Sequence, residues 1–224
     1  MSAAMDFAKA RELMVEQQVR PWDVLDVRVL EVLAALPRED FVPAAYRDLA
    51  YSDLELPIGH GERTLKPVLE GRMLQALALE PGDDVLEIGT GCGYLTACLA
   101  SLARDVVSLE RHPDLAEGAR AALAARGLVN ATVETADAFS ADASRFRPGR
   151  RFDAICVGGA VDTIPARLLE WLAPEGRMFV VRGRQPAMEA VLVRNHVNAP
   201  RIDSLFETDL PYLAGAAPVP EFVL

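Results

Sequence analysis

Apolar positions recur with helical spacing along the first third of the chain. Phe7, Leu13, Met14 and Val15 mark an amphipathic helix over residues 5–18, which Pro21 cannot continue. Val24, Val27, Leu30, Val32 and Leu33 predict a second helix over 23–36, with Asp23 as its N-cap and Pro37 as its stop. From Arg38 to Pro67 no regular period holds, and Pro43, Pro57, Gly59 and Gly61 punctuate the stretch. Roughly thirty irregular residues inside a compact chain point to a functional segment. Pro67 then suits the first turn of a helix reaching about Leu79.

After Glu80-Pro81-Gly82-Asp83 the pattern changes. Short apolar runs alternate with helical stretches, which predicts a parallel sheet covered on both faces. Strands are expected at 84–88, 106–110, 131–135, 153–157 and 177–182, and helices at about 93–103, 113–126 and 164–173. Glu189–Asn195 and Ser204–Glu207 are further strand candidates. The first of them follows its predecessor too closely for a crossover helix, so an antiparallel sheet edge is expected. The predicted class is α/β, Rossmann-like, with a mostly parallel central sheet and an N-terminal helical extension. Residues 1–80 are expected to form that extension and a loop, packed on a core of 81–224 within one structural domain. The tail from Pro211 reads as a docked irregular segment whose last residues, Glu221–Leu224, form an edge strand.

Composition narrows the classes. A net charge of −10 disfavours nonspecific binding to nucleic acid or anionic membranes. No stretch approaches the roughly 18 apolar residues of a membrane span, and the first residues carry no apolar signal-peptide core. Cys92, Cys98 and Cys156 form no CxxC pair, and three histidines complete no metal-ligand spacing, so no metal site is expected. Reduced thiols fit a cytoplasmic protein. Cys92 reads as a small filler, and Trp22, Tyr46 and Tyr51 as core anchors.

Val85-Leu86-Glu87-Ile88-Gly89-Thr90-Gly91-Cys92-Gly93-Tyr94 is an apolar strand running into a glycine-rich turn and a helix. Such a turn lets a ligand approach the backbone without meeting a Cβ, at the carboxyl end of a strand where open α/β sheets bind ligands. The spacing is G-x-G-x-G, not the G-x-G-x-x-G that suits a pyrophosphate. Glu110 ends the next strand, where a carboxylate can grip two ribose hydroxyls, with Arg111 beside it. Asp137 follows the third strand, beside Ala138, where an adenine edge should lie. Glu87 stands inside the first strand, and a carboxylate there calls for a cation or a bound donor to satisfy it. Together these acids and glycines point to a nucleoside cofactor carrying positive charge, S-adenosylmethionine, with Glu87, Gly89, Thr90, Gly91, Gly93, Glu110, Arg111, Asp137 and Ala138 as its expected binding residues.

At this point the chain resembles the protein-L-isoaspartate O-methyltransferases over nearly its whole length. The likeness is carried by Arg28-Val29-Leu30, Pro37-Arg38-Glu39-Asp40-Phe41-Val42-Pro43, Leu49-Ala50-Tyr51 and Leu56-Pro57-Ile58-Gly59-His60-Gly61. The glycine motif and the Leu172–Arg177 turn complete it. The glycine motif marks only the broad class I methyltransferases, whereas the N-terminal segments are specific. The resemblance implies transfer of a methyl group from S-adenosylmethionine to the α-carboxylate of an isoaspartyl residue in damaged proteins. It also implies donor binding at Gly89, Gly91, Gly93, Glu110, Asp137 and Ala138.

One segment departs from the family. Where the family reads Gln-Thr-Ile-Ser-Ala-Pro-His, this chain reads Glu62-Arg63-Thr64-Leu65-Lys66-Pro67-Val68. Leu65 replaces the serine whose hydroxyl the family places at the reacting centre, and Val68 replaces the histidine. A carboxylate acceptor is already an anion and needs no general base, but it does need an orienting donor or cation. Thr64, Lys66 and Arg63 are the candidates, with Thr64 and Lys66 the only ones for a catalytic role. His60, Gly61, Gly158 and Gly159 join Thr64 and Lys66 as the expected substrate pocket. Three other readings stay open: a methyltransferase with a different, small-molecule acceptor, a protein that binds the cofactor without transferring methyl, and a nicotinamide dehydrogenase, which the glycine spacing opposes.

Overall fold

The strand that enters the glycine turn is apolar on both faces, which is what a strand between two layers requires. In the computed structural model, which describes residues 5–140, 149–196 and 198–219, this strand is β3 (Asp84–Ile88). Val85 packs into one buried cluster, while Leu86 and Ile88 pack into another on the opposite face. Its neighbours repeat the division: Val106 against Val107 and Leu109 on β4 (Asp105–Glu110), and Ala154 and Cys156 against Ile155 and Val157 on β6 (Phe152–Val161). With β5 (Ala131–Thr135), β7 (Leu172–Arg184), β8 (Ala187–Arg194) and β9 (Arg201–Glu207) they form a seven-stranded sheet of order β5-β4-β3-β6-β7-β8-β9. Pairs from β5 to β7 are parallel, and β8 and β9 add antiparallel ladders at the edge, as the spacing predicted. The order reverses between β3 and β6. That switch point opens a crevice beyond the carboxyl ends of these two strands.

The N-terminal part lies on one face of this sheet. Helix α1 (Phe7–Leu13) runs through a π-helical turn, Met14–Val19, into a short 3-10 turn ending at Trp22. Helix α2 spans Val27–Ala35 and α3 spans Pro67–Leu77. Their buried residues Met14, Leu33 and Met73 join the same cluster as Val85 and Val106. Helices α4 (Tyr94–Leu102) and α5 (Pro113–Ala125) also feed it, whereas α6 (Ala166–Trp171) feeds the opposite cluster. Between α2 and α3 lie two 3-10 turns and a short hairpin of β1 (Pro57–Gly59) and β2 (Glu62–Arg63), where the sequence offered no period. No helix among the described residues is long and apolar enough to cross a membrane.

Three local expectations are corrected. Asp23 does not cap α2; it sits in the left-handed region at φ 61°, closing the preceding turn, and Asp26 caps the helix by accepting the Arg28 N–H at 2.9 Å. Trp22 is 60% exposed and anchors no core. The sixth helix is shorter than 164–173, because β7 already begins at Leu172. The expected edge strand at Glu221–Leu224 lies outside the described residues.

Long-range polar contacts tie the two parts together. Helix α3 ends at Ala78 in a left-handed conformation, which leaves its last carbonyls without helical partners. Arg177 of β7 supplies them: Nε donates to the Leu77 carbonyl at 2.6 Å, and Nη2 donates to the Ala78 carbonyl at 2.9 Å and to Asp83 at 2.6 Å.

Candidate functional site

At the switch point the backbone turns sharply out of β3. Gly89, Gly91 and Gly93 all have positive φ, of 93°, 55° and 86°. At Gly89 and Gly93 a side chain would be strained whatever the space around it. The Leu109 carbonyl accepts the Gly89 N–H at 2.9 Å, which fixes the turn against the end of β4.

Glu110, 5% exposed at the end of β4, links the turn to the next helix. Its Oε2 accepts the Gly91 N–H and its Oε1 accepts the His112 N–H, both at 2.9 Å. Each oxygen keeps acceptor capacity for a further donor, such as one of two vicinal hydroxyls. After β5, Asp137 Oδ1 accepts the Phe139 N–H at 2.8 Å, which bends the chain so that Ala136–Phe139 wall the same crevice.

These elements wall an open cleft. Gly89, Gly91, Glu110, Arg111, Asp137, Ala138 and Gly158, all expected from sequence, line it together. Gly158 must lack a side chain, because a Cβ there would stand 3.0 Å from the Ile88 carbonyl oxygen. Two acids at strand ends, two arginines at the rim and a floor of bare backbone suit an adenosine that carries a polar, charged tail.

Four expected donor or pocket residues stand elsewhere. Glu87 is fully buried under α4, where Thr96 and Ser108 donate their hydroxyls to its Oε2. The two hydroxyls satisfy one oxygen of this carboxyl, while its Oε1 is buried without a hydrogen-bond partner. Burial raises the carboxyl, against the pull of the two hydroxyls, to a pKa of about 8. Thr90 is turned away from the cleft and shares a hydrogen bond with Ser108. Gly93 packs α4 on α5: a Cβ would meet the Ala119 Cβ at 3.0 Å. Gly159 lies beneath Leu213, whose Cγ would be 2.9 Å from an added Cβ.

The acceptor-side candidates also separate. Thr64 is 5% exposed, and its hydroxyl accepts the Leu56 N–H at 3.0 Å, so this hydroxyl is committed to holding the hairpin. Lys66 is exposed just before α3 and does not line the cleft. His60 and Gly61 form the tip of the β1–β2 hairpin. His60 stacks on His112 with ring centroids 4.1 Å apart, and its Nε2 meets the Asp114 carboxylate at 2.8 Å. Arg63, from the altered segment, does reach the cleft, as does Glu62.

Sequence reasoning missed Ile58, Leu115, Phe139, Leu213 and Ala214 as cleft residues. Ile58 lay within a segment already singled out, and Phe139 two places beyond Asp137. Leu213 carried no local signal. It arrives because residues 211–216 lie alongside the end of β6: the Pro211 carbonyl accepts the Ala160 N–H, and the Ala160 carbonyl accepts the Leu213 N–H, both at 2.9 Å.

Comparison with known proteins gives a consistent result. The family model described as protein-L-isoaspartate(D-aspartate) O-methyltransferase matches residues 9–203. A protein-L-isoaspartate O-methyltransferase of Methylorubrum extorquens (strain PA1) is 44% identical over 80% of this chain and 76% of its own length. Protein-L-isoaspartate O-methyltransferase 1 of Rhodopseudomonas palustris (strain HaA2) is 40% identical over 95% of this chain and 86% of its own. Among solved structures, a Plasmodium falciparum protein assigned as a protein-L-isoaspartate O-methyltransferase, in complex with S-adenosyl-L-homocysteine, superposes with a TM-score of 0.81. It covers 92% of this chain and 98% of that one at 21% identity, a likeness of fold.

Proposed function

The chain belongs to the protein-L-isoaspartate O-methyltransferase family, and from that premise we propose that it methylates the α-carboxylate of isoaspartyl residues in damaged proteins, using S-adenosylmethionine. The observation that carries the reading is the cleft at the β3/β6 switch point, where Glu110 and Asp137 stand at successive strand ends around a glycine turn with no side chains in the way. We assign Gly89, Gly91, Glu110, Arg111, Asp137 and Ala138 to the donor, and the β1–β2 hairpin with Arg63 to the acceptor side. The part up to residue 80 is then the acceptor-side unit and residues 81–224 the donor-side unit.

The cofactor, when bound, supplies a methyl group already activated by its sulfonium. With that group bound, an acceptor carboxylate oxygen would displace the sulfur at the methyl carbon, the carbon–sulfur electron pair passing to sulfur, to give a methyl ester and a thioether. No proton has to be removed, so the protein's work is positioning. Glu110 orients the ribose through its two oxygens, Asp137 and Ala138 bound the base, and Ile58 and Leu213 exclude water from opposite sides of the turn. Arg63 at the rim is the cation that an anionic acceptor requires. The three free cysteines, none paired, support a reducing cytoplasmic setting.

A second reading, with the same donor and a small-molecule acceptor, rests on the altered segment, where the resemblance implies a serine and this chain carries Leu65. Incubation with methyl-labelled S-adenosylmethionine and an isoaspartyl peptide tests the first reading. Alkali-labile label on the peptide, as a methyl ester gives, supports it. No label on the peptide, with label on a small molecule from a cell extract, transfers the assignment to the second.

A further inference from the structure

Methyl transfer requires the glycine turn after β3 and the acceptor-side hairpin to hold a fixed distance, and the acceptor segment Thr64–Val68 is what joins that hairpin to α3. One buried side chain touches both this segment and the exit of the turn. Arg38, on the 3-10 turn Arg38–Asp40, has no exposure to solvent. Its Nη1 donates to Glu70 Oε2 on α3, and its Nη2 donates to the Leu65 carbonyl at 2.7 Å. Its guanidinium also lies over the ring of Tyr94, 4.6 Å from the centroid, at the residue that follows the glycine turn and begins α4.

Stability alone does not account for this arrangement. Two charges taken out of water lose solvation, and an apolar pair of similar volume often does as well or better. Burial pushes the Glu70 carboxyl up to about 7 against the pull of Arg38. What an apolar pair cannot do is donate to a backbone carbonyl. The carbonyl in question belongs to Leu65, midway between the hairpin and α3. The ends of the segment have their own restraints: the Leu56 carbonyl accepts the Thr64 N–H at 2.8 Å, and Asp53 Oδ1 accepts the Val68 N–H at 3.3 Å. Arg38 fixes the middle.

We propose that Arg38 is a positioning residue for methyl transfer, setting the acceptor segment relative to the glycine turn through the Leu65 carbonyl and the Tyr94 ring, with Glu70 holding its fork in place. Arg38 touches neither substrate. This rests on the methyl-transfer reading above, and the test separates the two.

Arg38→Lys keeps the charge beside Glu70, but a single ammonium cannot reproduce a planar fork that also stacks on an aromatic face. Arg38→Met combined with Glu70→Met removes the pair without leaving a buried charge. Both variants should bind S-adenosylhomocysteine within about threefold of wild type by calorimetry, while kcat on the isoaspartyl peptide falls by about tenfold or more, since small misplacements at a reacting centre have effects of that size. Amides of Leu65, Lys66 and Val68 should exchange with deuterium faster, and those of β3 should not. The proposal is overturned if a folded variant keeps kcat and exchange within about twofold of wild type, if donor affinity falls in step with kcat, or if neither variant folds, because the pair is then a stability element. If wild type itself methylates no isoaspartyl peptide, the acceptor reading fails, and donor affinity with amide exchange still decides the role of Arg38.

Discussion

The donor side and the acceptor side of the cleft are built in opposite ways. On the donor side the functional residues are held by backbone groups of adjacent strand ends and of their own turns: Gly89 by Leu109, Glu110 by Gly91 and His112, Asp137 by Phe139. On the acceptor side the segment Thr64–Val68 is held by Leu56, Asp53, Arg38 and Glu70, and the helix it enters is capped from β7 by Arg177. A site made of strand ends carries its geometry in the regular sheet. A site made of irregular chain must borrow geometry from distant side chains, so substitution there spreads further.

Substitutions can break this comparison. The largest effect is expected at Glu110, where Ala removes an acceptor from two backbone N–H groups and from the cofactor. S-adenosylhomocysteine affinity should fall about 100-fold by calorimetry, roughly 2–3 kcal/mol for lost charge-assisted hydrogen bonds. A loss under fivefold would mean that the donor is held elsewhere.

Next is a pH effect at Glu87. Its folded value is raised by burial to about 8 from 4.5, so the stability linked to its proton is fully present below pH 4.5 and is lost as pH rises through 8. Glu87→Gln cannot lose a proton. It should match wild type at pH 4.5 and then gain on it by about 1.4 kcal/mol per pH unit until pH 8, the margin levelling off above that, in urea unfolding. Equal pH profiles would mean that Glu87 is solvated or paired in a way the buried hydroxyl network does not provide.

Arg177→Ala should cost about 2 kcal/mol of stability, because it strips the α3 carbonyls of their donors, with little change in donor affinity. A matched loss of affinity would show that the two sides are not separable. The smallest effect is at Gly93, where Ala adds backbone strain and a close contact with Ala119; about 1 kcal/mol of destabilisation is expected from thermal unfolding, with the cleft lining intact.

The same contrast explains what the sequence made legible. Strands and helices after residue 80 were readable because their apolar runs are near-continuous and their turns carry Gly and Pro. The glycine turn, Glu110 and Asp137 were readable because strand ends place them. The place of Glu87 beneath α4 and away from the cleft is not legible, since the hydroxyls that reach its Oε2, from Thr96 and Ser108, come from a helix and another strand. Asp23 is the cap that the pattern predicts, and its left-handed backbone leaves that role to Asp26. Thr64 reads as an orienting donor because its partner Leu56 lies across a hairpin too short to show a period. Leu213 and Arg38 reach their places through contacts that no local pattern encodes.

The central claim is that this cleft serves an isoaspartyl acceptor despite Leu65. The direct measurement is kcat/KM for methyl transfer to an isoaspartyl peptide and to its normal aspartyl isomer, under one set of conditions. The account predicts transfer to the isoaspartyl peptide at least about 100-fold above the isomer, a difference of roughly 2.7 kcal/mol in transition-state binding. Equal rates on the two peptides, or no transfer to either, would contradict it.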